Sequence, residues 1–255
     1  MDDDEFELEV DMLKRFNGHV HPHLVTLLAT FTHRETDHLI LPWAECDLFS
    51  YWENHEAPST ADDILWLSSQ VLGLATALNL IHNPPEENGS TRRYARHGDI
   101  KPENILWFKS IKDSRGILVI SDLGLSSMNT KNSRSWMRNE AVSFTPTYRP
   151  PESDIENGYI SRSSDIWSLG CLFLEMTTWM LGGCKLVESF SLARVAPSMM
   201  GFNMDTFFDI LQRADSKVAN EEATKGSSTE TKPESGAFQF EVKKQVTSWI
   251  EAAQP

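Results

Sequence analysis

One stretch leaves this chain little freedom in what it can be: His97-Gly98-Asp99-Ile100-Lys101-Pro102-Glu103-Asn104-Ile105-Leu106. It sets an aspartate, a lysine two residues on and an asparagine five residues on ahead of a short apolar run, Ile105 to Phe108. A second aspartate, in Ser121-Asp122-Leu123-Gly124, follows another apolar run, Gly116 to Ile120. Asp99 and Asp122 supply carboxylates, and Asn104 supplies an amide that both donates and accepts. Lys101 supplies a positive charge, and Gly124 allows a backbone turn that aims Asp122 inward. Either short motif alone is weak, but both in order, with strand signals between them, form a specific pattern.

The set resembles the catalytic core of eukaryotic protein kinases of the serine/threonine type, with their H-R-D-x-x-x-x-N loop and D-F-G turn. Here the first motif reads H-G-D and the second D-L-G. The resemblance implies an α+β, protein-kinase-like fold with a mostly helical C-lobe and an incomplete N-lobe. It implies ATP and Mg2+ as cofactors and a protein as substrate. Phosphoryl transfer passes through a loose, highly charged transition state, so a protein mainly positions groups and neutralises charge. Asp99 would orient the attacking hydroxyl, Lys101 would steady the phosphate charge, and Asn104 and Asp122 would hold the metal. Leu41, Trp43 and Leu106 would line the nucleotide site, although Trp43 reads equally well as core. His97 and Leu123, with Leu13 and Leu27, would stack as an apolar spine. Gly98 stands where the family usually has an arginine that binds a phosphorylated residue. Phosphorylation within 125–144 is therefore expected to shift activity little.

Further blocks extend the resemblance. Residues 3 to 17 carry Phe6, Val10, Leu13 and Phe16 at helical spacing, and His21-Pro22-His23-Leu24-Val25 opens a strand expected from Leu24 to Phe31. On the kinase register Glu9 matches the helix glutamate that pairs with the ATP-binding lysine, against the plainer reading of one acid among many on a solvated face. His38 to Leu41 reads as a strand leading to a hinge, Asp47 to Trp52 as a short helix, and residues 60 to 83 as a long helix capped by Thr60. Pro84 to Thr91 reads as a solvent-exposed insertion, and 125–147 as the activation segment. Its end, Thr145-Pro146-Thr147-Tyr148-Arg149-Pro150-Pro151-Glu152, is similar to the G-T-x-x-Y-x-A-P-E signature. Thr145 would sit near Asp99 and shape the peptide site. Glu152 would seek a late arginine, for which the sequence shows no partner. Ser163-Ser164-Asp165-Ile166-Trp167-Ser168-Leu169-Gly170 is similar to the motif that starts the family's buried central helix, with Asp165 holding the catalytic loop. Met204 to Leu211 and Phe238 to Ala253 are expected as helices. Ala219 to Gly236, almost free of large apolar residues, is expected to be disordered.

The family's small lobe also carries a glycine-rich loop and a strand lysine before this first helix. Here the first glycine is Gly18, the first lysine is Lys14, and no G-x-G-x-x-G occurs. Two readings stay open: a fragment of a longer kinase, truncated in its N-terminal lobe, or a product without that ATP lid. The domain reading is a partial N-lobe over 1–43 and a C-lobe over 44–255. The preferred function is ATP-dependent phosphorylation of protein serine or threonine, with a pseudokinase-like binding module as the alternative and a small-molecule kinase as a third. A net charge of −14 speaks against nonspecific nucleic-acid binding. Three scattered cysteines give neither a disulfide framework nor a zinc spacing. The longest apolar run, Ile166 to Leu174, is broken by Ser168 and too short to span a bilayer. These signals lead to an intracellular setting, cytoplasmic or nuclear, with no membrane partner. Nothing in the sequence speaks to oligomeric state.

Overall fold

The computed structural model describes residues 3–17, 19–84, 93–123, 127–130, 137–138, 145–154, 159–197, 201–212 and 238–253. The expected insertion over 84–91, nearly all of it, and the expected disordered segment over 219–236 lie outside the described residues, as does most of the expected activation segment.

Helix α1 (Asp3–Asn17) buries Val10, Met12, Leu13 and Phe16 and sets Lys14 and Arg15 at its negative end. Asn17 ties that end to the next segment: its amide donates to the Leu27 carbonyl (2.7 Å) and accepts from the Leu27 N–H (3.1 Å). The strand expected from Leu24 to Phe31 is divided. Residues 23 to 25 bond to Ile120, through Ile120 N–H to His23 O and Val25 N–H to Ile120 O, each 2.9 Å. The hairpin proper is β1 (Ala29–His33) with β2 (Thr36–Ile40). Its two-residue turn puts Arg34 (φ 49°) and Glu35 (φ 62°) in the left-handed region that such turns require.

Strand β3 (Cys46–Asp47) leads to helix α2 (Leu48–Asn54), where Asp47 accepts from the Ser50 N–H at 2.8 Å. Helix α3 (Ala61–His82) starts at Thr60 with a reciprocal cap to Asp63 and buries Trp66, Gln70, Leu74, Ala77, Leu78 and Ile81 along one face. With a mean hydropathy of 1.6 over its best window, it is long and apolar enough to cross a bilayer by length and composition. Ser68, Ser69 and Gln70 interrupt its apolar run in sequence. Here its inner face is taken by the core, and the Trp66 indole donates to Gly116 O at 2.9 Å.

Strand β4 (Arg93–Arg96), the loop 97–104, β5 (Ile105–Phe108) and β6 (Ile117–Ile120) follow; β3, β5 and β6 make one antiparallel sheet. Strand β7 (Ser127–Thr130) pairs with β4, and β8 (Met137–Arg138) pairs with β9 (Tyr159–Ile160). Helix α4 (Ser163–Arg194) runs through the core and kinks at Gly182–Gly183, where Gly183 has φ 71°.

Two helices expected late in the chain are corrected. Residues 203–212 form β10–β11 contacts and a strand instead: β10 (Ala196–Pro197) pairs with β11 (Asn203–Met204), and β12 (Phe208–Gln212) pairs with β13 (Phe238–Val242). Only Lys244–Ala252 is helical, as α5. The reason is periodicity: Phe208 and Ile210, and Phe238, Phe240 and Val242, alternate with polar or outward residues at period two. Phe208 and Phe240 meet edge to face, 6.1 Å apart.

Candidate active site

The β5–β6 ladder decides where the two aspartate loops go. Ile105 pairs with Ile120, so the residue before β5 and the residue after β6 are neighbours. Ser121 donates both its N–H (2.9 Å) and its hydroxyl (3.0 Å) to Asn104 O. The His97 ring, fully buried, donates from Nε2 to Ser121 O at 2.9 Å and accepts the Asp99 N–H on Nδ1 at 3.2 Å. The segments bearing Asp99 and Asp122 are thus bonded together on one side of the sheet.

Within this frame Asp99 is buried and densely bonded. One carboxylate oxygen accepts the Thr145 hydroxyl at 2.7 Å. The other accepts the Asn104 amide at 3.0 Å and pairs with Lys101 Nζ at 2.7 Å. Lys101 also donates to Thr145 Oγ1 at 3.0 Å, and Asn104 donates to Asp99 O at 2.8 Å. The Asn104 amide nitrogen is spent on Asp99, which leaves its oxygen for a ligand. Gly98 has φ 92°, a conformation that a side chain strains against. Asp122 is exposed with φ 59°, a left-handed backbone carried by a residue other than glycine. Glu9, half-buried on α1, has its carboxyl pKa raised, first by burial and then by the charge of Asp122.

Asp165 closes the frame from below. Only 1% exposed at the start of α4, it accepts the backbone N–H groups of His97 (2.8 Å) and Gly98 (2.9 Å) and shares a 2.7 Å hydrogen bond with His82 Nε2. Sequence reasoning passed over His82. Its signal was there: a polar residue on the buried face at the end of an apolar helix.

The other expected site residues are more scattered. Leu41 packs half-buried against the core, and Leu106 is half-buried on β5. Trp43 is 91% exposed, which overturns its reading as a core residue. Leu13, Leu27 and Leu123 are all buried in the main cluster. Glu152 lies half-buried on the short turn Pro151–Asp154, while the late buried arginine, Arg194, goes to Glu175 at 2.8 Å. Tyr148 donates to the other oxygen of Glu175 at 2.7 Å. Beside Thr145 a cavity of about 490 Å³ opens between α2, the catalytic loop and the second half of α4, lined among others by Trp52, Glu103, Tyr148 and Asp205. Among the described residues no group of three or more His, Cys, Asp and Glu side chains is placed to hold a metal unaided.

The comparison with family models is decisive here: the protein kinase domain model matches residues 1–182. The chain belongs to the protein kinase family. Human cyclin-dependent kinase-like 4 is 30% identical over 175 residues, 67% of this chain and 38% of that protein. Cyclin-dependent kinase 14 of Callithrix jacchus is 31% identical over 168 residues, 66% of this chain and 34% of that protein. Serine/threonine-protein kinase SSN3 of Coccidioides immitis is 27% identical over 157 residues, 61% and 31% of the two chains. This kinase-domain chain therefore spans about a third of the length of the curated relatives it matches.

Proposed function

We propose that this kinase domain transfers the γ-phosphoryl group of magnesium-bound ATP to serine or threonine hydroxyls of a protein. The single observation that carries the reading is the closed network of Asp99, Lys101, Asn104 and Thr145, every link of it at 3.0 Å or less. Bound ATP and magnesium supply the activated phosphoryl group and neutralise its oxygens. The donor set suits magnesium: Asp122 is exposed and Asn104 keeps a free oxygen, both hard donors.

The residues divide the work. Asp99 orients the acceptor hydroxyl and takes up its proton. Lys101, beside it, balances charge on the phosphoryl oxygens. Thr145 fixes the Asp99 carboxylate and borders the groove for the protein substrate, which the cavity beside it continues. Leu41 and Leu106 flank the adenine, and Trp43, being exposed, contributes backbone rather than ring. Glu9 marks the nucleotide side of α1, and residues 1–43 and 44–255 act as small and large lobes. With Gly98 in place of arginine, this is a non-RD site.

The test is phosphate incorporation into a generic protein substrate with magnesium-ATP. Asp99→Asn should lower kcat by about 10²–10⁴-fold while leaving Tm near the wild-type value. Equal rates for the two proteins would overturn the reading. One observation favours a second reading, a binding module: burial and Asp122 raise the Glu9 carboxyl, an acid beside an acid. Under that reading millimolar magnesium-ATP leaves Tm unmoved.

A further inference from the structure

We propose that strand β1 is a docking edge for a second copy of this chain, the two β1 strands pairing antiparallel about Phe31 so that two hairpins join into one four-stranded sheet. Among the described residues β1 pairs only with β2, in a sheet of two strands. All five of its residues are exposed, Phe31 at 48%. A two-stranded hairpin is marginal in water, and an uncovered edge is a template for a further strand. The usual guards of such an edge are missing: β1 reads Ala29-Thr30-Phe31-Thr32-His33, with no proline, lysine or carboxylate, in a chain of net charge −14. Strand β2 differs, since it carries Asp37 and packs Leu39 against the core.

The register of the hairpin decides which backbone groups are open. Arg34 and Glu35 make a two-residue turn, so His33 and Thr36 are the hydrogen-bonded closing pair. Bonded and non-bonded pairs alternate along an antiparallel ladder, so Phe31 with His38 and Ala29 with Ile40 are bonded pairs too. The N–H and C=O groups of Thr30 and Thr32 therefore point away from β2. A second β1, laid antiparallel and centred on Phe31, sets Thr30 opposite Thr32 of the second copy. Each such pair exchanges two backbone hydrogen bonds, and the two-fold axis repeats the pair. Phe31 then meets its own copy in a non-hydrogen-bonded pair, about 4.5 Å between Cα atoms, where side chains lie closest. The Phe31 ring is already held upright for this by its stacking on His38, 4.6 Å between centroids. Ala29 falls opposite His33, so no like charges oppose. The strand is its own complement, as an isologous contact requires. Thr30 and Thr32 are exposed on the other face, so the body of the chain does not overhang the edge.

The test is sedimentation equilibrium of the full chain over about 1–500 μM, the range of weak complexes. Wild type should follow a monomer–dimer equilibrium. Thr30→Pro removes an outward N–H that the hairpin does not use, and it should weaken the dimer about 10-fold or more. Phe31→Glu sets two carboxylates opposite each other and should weaken it by a similar factor. Leu65→Glu, on the exposed side of α3, should leave the dimer unchanged. At about 1 μM, where wild type is monomeric, all three variants should keep the wild-type Tm. None of these readouts depends on kinase activity. A wild type that stays monomeric at the top of the range would overturn the inference. So would a dimer that either folded β1 variant leaves intact, or one that Leu65→Glu abolishes. If Thr30→Pro does not fold, Phe31→Glu, a change to an exposed side chain, decides alone.

Discussion

Gly98 shows how much a single residue can settle. In sequence it reads as a missing arginine; in space it is a backbone held at φ 92° between His97 and Asp99, with its N–H on Asp165. Gly98→Ala should lose about 1–2 kcal/mol, read as a Tm lower by ~2–8 °C, with faster exchange at the same amide. Glu9 makes a pH prediction. Its folded pKa is raised, so the ionised form is the one that folding disfavours. That cost is absent below the ordinary carboxylate value of 4.5 and grows as pH rises through the folded pKa. Glu9→Gln should therefore raise Tm at about pH 7.5 and give no gain at about pH 4. The residue types proposed for the site were legible because the kinase motifs use few of them at fixed short spacings. The burial of Glu9 and the exposure of Trp43 were not, because each depends on what packs alongside.

Among the elements, α3 carries a test in which two effects compete. Gly73 sits inside this helix, where alanine would be favoured by about 1 kcal/mol on propensity. A Cβ there, however, would collide with the His23 ring. That ring is not free to leave, since Nδ1 donates to Leu118 O at 2.7 Å and its backbone carbonyl is bonded to Ile120. The clash should win, so Gly73→Ala should lower Tm, and paired with His23→Ala the loss should shrink. The long helices and the β5–β6 hairpin could be read from the chain because their periodicity spans many residues or is flanked by clear turns. The short strands β10 to β13 could not be separated from helix by apolar content alone. Their alternation covers five residues at most in each strand, and the partners β12 and β13 are far apart in sequence.

At the scale of the whole molecule, a buried polar hub fastens the lower half together. Arg194 lies between the Phe190 and Phe207 rings, 4.2 and 4.0 Å away, and pairs with Glu175. Lys243, just before α5, donates to Arg194 O at 2.7 Å and Met204 O at 2.9 Å. Arg194→Met strands a buried carboxylate and should cost about 3–5 kcal/mol, whereas Arg194→Met with Glu175→Gln should cost less than Arg194→Met alone. Chemical denaturation of the singles and the double measures both. None of this was readable, since Tyr148, Glu175, Arg194 and Lys243 share no motif and meet only after α4 kinks at Gly182–Gly183. The sequence by itself determined the kinase family, because that family's motifs set particular groups at particular short spacings. Only the tertiary structure decided which charges are buried and which partners hold Asp99 and Asp165. Those follow from long-range packing, where a side chain's environment comes from segments that local pattern does not connect.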